Sequence, residues 1–242
     1  MTLTDALLGP LLAADPARPL VTYYDDATGE RIELSGTTLA NWAAKTANLM
    51  RDECDLEPGA RVAVLLPAHW QTLVVLLGAW WCGAEVVADP AGADLVCCDE
   101  PRLADATGAG AAVVTALSLN AFGKGLTGLP PGVLDYATEV RLHGDVFNPE
   151  RGSGGSEGVG ALAGRSVAEV LAAARAAATE ADLSAADRVL TSYDWTLDDG
   201  LVRLPLAVLA AGGSLVQCRN APADPAALDR RAAGERVTRR LP

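Results

Sequence analysis

Positive charge is what this chain has least of. Its 242 residues carry 19 Lys and Arg against 31 Asp and Glu, a formal net charge of −12 at pH 7 and a sequence pI near 4.5. Nucleic-acid binding draws its affinity from neutralising phosphates, so the imbalance argues against a nucleic-acid partner. Anionic membrane surfaces are disfavoured for the same reason. Histidine is scarce: His69 and His143 are the only two, and neither has a His or Cys at ligand spacing, so no metal site is expected. The five cysteines (Cys54, Cys82, Cys97, Cys98, Cys218) form no CxxC and no paired framework, and read as structural thiols within apolar runs. No uninterrupted apolar run reaches the ~20 residues of a membrane span; the longest, "VAVLLPAHWQTLVVLLGAWWCGAEVVA", is cut by Pro67, His69 and Gln71. The opening "MTLTDALLGPLLAADP" lacks a basic start and contains Asp5, so it reads as an amphipathic helix rather than a signal peptide, with a cytoplasmic location expected. No GxSxG is present and His143 has no visible partner, which gives a serine nucleophile no support.

What the chain does have is apolar residues, half of the total, enough to bury a core in one large domain or two small ones. "VTYYDDATGERIELS" reads as a hairpin turning at Gly29. Ser35 or Thr37 then caps a helix carrying Leu39, Trp42, Ala43, Thr46 and Leu49 near helical spacing. "RVAVLLP" has the look of a strand buried on both faces of a parallel sheet. A helix "HWQTLVVLLGAWWCG" closed by Gly83 follows, then strands at "AEVVADP", "ADLVCCDEP" and "GAAVVTAL". From "FGKGLTGLPPG" to "GALAG" loop is the default, including the short apolar piece Val133 to Tyr136. Regularity resumes at Ser166, which with Glu169 has capping-box spacing. It continues through a strand "DRVLTS", a helix containing Pro205, a strand "SLVQC", a helix "PAALDRRAAG" and a last strand at "ERVTRRLP". Strands alternating with helices of this length define an α/β fold of βαβ units. The expected division is a first α/β subdomain at 1–130 with the N-terminal helix and hairpin, a Gly/Pro-rich connection at 131–164, and a second α/β subdomain at 165–242.

Three stretches, in this order, resemble the N-terminal half of the adenylate-forming enzymes, the AMP-binding superfamily of acyl-CoA synthetases and amino-acid adenylation domains. They are "LSGTTLANWAAKTANLMRDECDLEPGARVAVLLPAHWQTLVVLLGAWWCGAEVVADP", "DRVLTSYDWTLDDGLVRLPLAVLAAGGSLVQC" and "DRRAAGERVTRR". The resemblance covers most of the chain, is weakest from 95 to 150, and implies layered parallel-sheet αβα architecture. Read backward without gaps from the helix "VLAAARAAA", the superfamily's phosphate loop falls on "SGGSEGVGAL", residues 153–162. Gly155, Ser156 and Gly158 match its pattern and are the candidate cofactor-binding positions. Glu157 stands where the superfamily has a hydroxyl residue, and Ala161 where it has lysine.

Those two departures have a physical cost. A triphosphate needs backbone N–H groups and positive charge converging on it. A carboxylate ~4 Å away at an effective dielectric of ~20 opposes it by about 4 kcal/mol. The loop also fails the Walker pattern, because Ala161 and Leu162 follow Gly160 where Lys and Ser/Thr belong, and the dinucleotide pattern, because no strand precedes Gly158. A surface linker is the preferred reading of the stretch. The superfamily's aromatic-Thr-Glu motif, ribose-binding Asp and catalytic Lys have no counterpart in "VTRRLP", so no catalytic residue is assigned. No cofactor is expected, with ATP and magnesium retained only if the degenerate loop still works.

Asp194, Asp198 and Asp199 in "SYDWTLDDG" fit helix capping, with Tyr193 and Trp195 as pocket-wall candidates and Trp80 and Trp81 as core. The preferred expectation is a non-catalytic homologue that acts as a binding or interaction module. The rivals are a split acyl- or aminoacyl-adenylating ligase, completed by a protein partner that covers the missing C-terminal half, and a binding protein for a small acyl or nucleoside ligand.

Overall fold

The computed structural model describes residues 1–121, 123–149, 160–197 and 199–241. Helix α1 (Leu3–Ala14) starts on a capping box, Thr2 accepting from the Asp5 amide and Asp5 from the Thr2 amide. Strands β1 (Pro19–Asp25) and β2 (Glu30–Ser35) form the expected antiparallel hairpin. Ser35, rather than Thr37, caps α2 (Gly36–Asp52) by accepting from the Thr38 amide. Then come β3 (Arg61–Leu65), α3 (Trp70–Cys82), β4 (Glu85–Val87), β5 (Leu95–Asp99), α4 (Leu103–Gly108) and β6 (Val113–Leu117). Gly83 ends α3 at φ +78°, a left-handed angle that costs glycine nothing.

The second half holds β7 (Val133–Asp135), α5 (Tyr136–Glu139), β8 (Gly160–Leu162), β9 (Arg165–Ser166) and α6 (Val167–Glu180), which starts on the expected Ser166/Glu169 capping box. It continues with β10 (Arg188–Thr191), α7 (Asp199–Leu201), α8 (Ala207–Ala210), β11 (Ser214–Arg219), α9 (Pro225–Gly234) and β12 (Arg239–Arg240). Pro205 sits in a π-helical turn, Val202–Leu206, between α7 and α8, because proline has no N–H for the regular ladder.

Two sheets result, α/β in class as expected. One has seven strands in the order β7-β6-β5-β3-β4-β8-β9, the other five in the order β12-β10-β11-β1-β2. Among the described residues only the β1/β2 and β8/β9 pairs are antiparallel. Helix α3 touches β1 of one sheet and β3 and β4 of the other. Twelve of its 13 residues are buried, which is why its sequence is apolar all round rather than along one stripe. Gly78 of α3 lets it approach α2 so closely that a Cβ there would sit 2.9 Å from Thr46 Cγ2 and 3.1 Å from the Ala47 amide nitrogen. Trp80, fully buried, donates from Nε1 to the Ala161 carbonyl at 2.8 Å.

Two features differ from the sequence expectation. Val133–Asp135 is not loop but the edge strand β7, paired with Val114–Ala116. Gly160–Leu162 is not linker but β8, joined to β4 through Val86 and Leu162. The hairpin at 19–35 pairs with β11, while β7 and β8 join the strands of the first hundred residues. Each difference arises from a long-range pairing that leaves no local pattern in two or three residues.

Candidate functional site

Strand order locates the site. From β3 the chain goes to β4 on one side and returns to β5 on the other; from β10 it goes to β11 and returns to β12. Such reversals open crevices at the carboxyl ends of parallel strands, the usual ligand position in α/β folds. Around the carboxyl ends of β1, β3 and β11 the protein buries a group of polar and aromatic side chains.

Tyr23 and Asp25 lie on one face of β1, with Gln217 and Arg219 beside them on β11 and Thr191 beside Gln217 on β10. His69 is the N-cap of α3: its Nδ1 accepts from the Gln71 amide at 3.1 Å. Its ring meets Tyr23 edge-on at 4.4 Å and lies 5.6 Å from Trp70. Because Nδ1 accepts, the neutral ring carries its proton on Nε2. That Nε2 has no hydrogen-bond partner, although His69 is 1% exposed; Tyr23 is 0% exposed, and the Arg219 side chain acts on its hydroxyl. Glu30, at the end of the hairpin turn, brings Oε1 to 3.9 Å from His69 Nε2 and 3.4 Å from Trp70 Nε1.

The loops leaving β3 and β10 are tied together here. Asp194 Oδ1 accepts from the Ala68 amide at 2.6 Å and from the Trp195 amide at 3.1 Å. Trp195, 6% exposed, donates to Gln217 Oε1 at 2.9 Å. Tyr193 by contrast is 55% exposed. Asp194 is therefore a loop-to-loop acceptor rather than a helix cap; Asp199 opens α7, and Asp198 lies outside the described residues. At the end of β5 a second buried carboxylate, Asp99, accepts from Arg102 Nη1 at 2.6 Å and leaves Oδ1 without a partner. Between the β1–β2 turn (28–32) and the loop leaving β6 (118–121) is a cleft of about 670 Å³.

Burial keeps the two aromatic groups at the centre of the site, His69 and Tyr23, neutral. Burial, and secondly the Arg219 charge, hold His69 down to about 3 against the attraction of Asp25. Burial, then the Asp25 charge, push the Tyr23 hydroxyl well above its usual value. Burial also raises Glu30, despite the Trp70 N–H. A neutral imidazole titrating near 3 is a poor general base at pH 7 but a competent hydrogen-bond donor.

The candidate phosphate-loop positions Gly155, Ser156 and Gly158, with Glu157, lie outside the described residues. At the end of that register, Ala161 is 2% exposed in β8, its side chain in the core. Among the described residues no group of three His, Cys, Asp or Glu is placed to hold a metal ion, all five cysteines are free and buried, and no helix is long and apolar enough to cross a membrane. Sequence reasoning missed Tyr23, Glu30, Gln217 and Arg219. The one available signal was a His in the short turn between a buried strand and a largely apolar helix.

The fold is that of the N-terminal half of the adenylate-forming enzymes. The chain superposes on the acyl-CoA synthetase of Brucella canis with a TM-score of 0.77 and 18% identity, covering 99% of this chain and 47% of that one. A benzoate CoA ligase of Burkholderia xenovorans gives 0.72 and 16%, over 99% and 50% of the two chains. The acetoacetyl-CoA synthetase of Streptomyces lividans gives 0.71 and 17%, over 96% and 41%. The chain thus spans about half the length of the solved structures it matches. No protein-family model matches it. In sequence it is 55% identical, over 245 residues, to the TIGR03089 family protein of Mycobacterium tuberculosis, covering 99% of this chain and 98% of its relative. It belongs to the TIGR03089 family.

Proposed function

We propose that this chain is a small-ligand binding domain built on the adenylate-forming scaffold, with no adenylating activity of its own. One observation carries the reading: a hydrogen-bonding group, His69 Nε2, is buried without a hydrogen-bond partner at the strand ends where this architecture receives ligands. An unmade buried hydrogen bond costs roughly 1–3 kcal/mol, a sizeable part of a stability of about 5–15 kcal/mol, so its retention points to a use. The non-catalytic half of the reading rests on chemistry. Phosphoryl and adenylyl transfer need cations converging on the phosphates, and the sequence offers Glu157 and Ala161 in the loop register. ATP and magnesium are accordingly not cofactors in this reading, and neither nucleic acid nor membrane is a partner.

The direct check incubates purified protein with ATP, magnesium and a panel of carboxylic acids and follows pyrophosphate. No release above the protein-free control is expected; sustained turnover by this chain alone would overturn the reading. A second reading, a ligase completed by another polypeptide, is favoured by the half-length match to solved ligases and by exposed Tyr193 beside the site. It requires pyrophosphate release that appears only when the second polypeptide is added.

A further inference from the structure

We propose that the protein has a second ligand site, for a phosphomonoester dianion, in the cavity at the amino ends of β1, β10 and β11. The site described above is at the carboxyl ends of β1 and β11, so this inference is independent of the small-ligand reading and goes beyond it. The cavity measures about 630 Å³, within the range of pockets that enclose small organic molecules. It has room for a phosphate group and a modest organic body.

Three arginines from three separate segments meet at this cavity, in a chain that has only 19 Lys and Arg. Arg18 precedes β1, Arg188 opens β10 and Arg236 follows α9. Arg188 is already engaged: its Nη2 donates to Glu235 Oε2 and, at 2.8 Å, to Thr22 Oγ1. Arg18 and Arg236 are not, since neither makes an ion pair or a side-chain hydrogen bond among the described residues. A chain with a net charge of −12 offers such cations many carboxylates, and the neighbouring arginines of β12 take them, Arg239 with Asp182 and Arg240 with Asp229. Ser214, the first residue of β11 and 3% exposed, lines the same cavity, and its hydroxyl has no partner among the described residues.

Arg236 holds its place against backbone strain. It comes directly after Glu235, the C-cap of α9, with φ at +53°. Helices commonly end on glycine at that left-handed position, because a Cβ there is strained. An unpaired arginine kept at such a position, on the wall of a cavity, points to a use beyond ending the helix. The opposing charges are smaller than the favourable ones. Among the described residues Glu235 is the only carboxylate on the wall, and Tyr24, Arg31 and Arg188 already donate to it. Three guanidinium groups against it leave two positive charges, from which the negative end of the α9 dipole takes about half a charge. That surplus suits a dianion better than a monoanion, and the guanidinium fork matches the oxygens of a phosphate.

The test is calorimetric titration of inorganic phosphate, phenyl phosphate and phenyl sulfate into wild-type protein, Arg236→Gly and Arg18→Gln at pH 8, above the second phosphate pKa of about 6. Circular dichroism confirms that each variant is folded. Wild-type protein is expected to bind both phosphates, and to bind phenyl sulfate, a monoanion of similar shape, at least about tenfold more weakly. Each substitution should weaken phosphate binding at least about tenfold, the size of one charge-assisted hydrogen bond. Glycine adopts the left-handed angle freely, so Arg236→Gly should melt at or above the wild-type temperature while losing phosphate. In wild-type protein the ¹⁵N-bound Nε protons of Arg18 and Arg236 should shift on adding phosphate. An Arg236 that only closes the helix would give Arg236→Gly a higher melting temperature and unaltered phosphate affinity. That result, no phosphate binding to wild type at millimolar concentration, phenyl sulfate bound as tightly as phenyl phosphate, or unmoved arginine signals would each overturn the proposal. If one variant does not fold, the other and the arginine signals still decide.

Discussion

On the face of the five-stranded sheet away from the site, Glu235 at the end of α9 gathers a charge network. It accepts from Tyr24 Oη at 2.5 Å, Arg188 Nη2 at 2.5 Å, and Arg31 Nη2 and Nε at 2.9 and 3.1 Å. Burial alone would raise its pKa, but the Tyr24 and Arg188 hydrogen bonds, then Arg31, bring it to about 2 from the model-compound 4.5. The folded value is depressed, so its stabilisation is present in full above the unfolded value and is lost as pH falls toward 2. Its ceiling is the 2.5-unit difference at about 1.36 kcal/mol per unit, roughly 3.4 kcal/mol. Arg31 is 45% exposed and its share is screened, which lowers the expected loss in Glu235→Gln to about 2–3 kcal/mol at pH 7. By the same linkage, no more than roughly 1.4 kcal/mol of the difference remains at pH 3. Urea unfolding of both proteins at pH 7 and pH 3 measures both quantities. A variant within about 0.5 kcal/mol of wild type at pH 7, or a gap that does not narrow on acidification, would show that the network contributes no more than an ordinary surface ion pair.

Two further outcomes follow from packing and protonation. Gly78→Ala gains about 1 kcal/mol of helix propensity but drives a methyl group against the Thr46 side chain and the Ala47 backbone. Overpacking of roughly 1–3 kcal/mol or more should prevail, lowering the melting temperature by a few degrees; a raised one would mean that α2 and α3 separate freely. His69, held near 3 by burial and Arg219, should keep its neutral Nε2–H form from pH 8 down to pH 5 in ¹⁵N-detected NMR. A midpoint near 6 would show that water reaches the ring.

Much of the architecture was legible because the chain punctuates itself. Gly29, Ser35, Gly83 and the Ser166/Glu169 pair mark their turns, caps and helix ends by local chemistry, and the structure keeps each of them. Strands β7 and β8 have three residues each and no period; only their partners Val114 and Val86, far back in the chain, make them strands. The site follows the same rule. Tyr23 and Glu30 read from sequence as ordinary members of an alternating hairpin, because what sets them apart is the arrival of His69 from one sheet and of Gln217 and Arg219 from the end of the chain. His69 reads from sequence as an ordinary histidine rather than a metal ligand, since its structural meaning, a capped helix start with one nitrogen occupied and the other unpartnered, depends on neighbours that no spacing encodes.

The hairpin itself joins the two halves of this account. Alternation sends Tyr23, Asp25, Glu30 and Ile32 to the face of the site, and Thr22, Tyr24, Arg31 and Glu33 to the face of the Glu235 network. The two faces share a backbone but no side-chain partner between the Glu30–His69 group and Glu235, so their perturbations should add rather than couple. Glu235→Gln should therefore lower stability at pH 7 and leave the His69 Nε2 proton resonance where it was. Glu30→Ala should move that resonance and leave the acid dependence of unfolding that Glu235 supplies. If Glu235→Gln instead shifts the His69 resonance as far as Glu30→Ala does, the hairpin is moving as one piece, and the separation of its two faces is wrong.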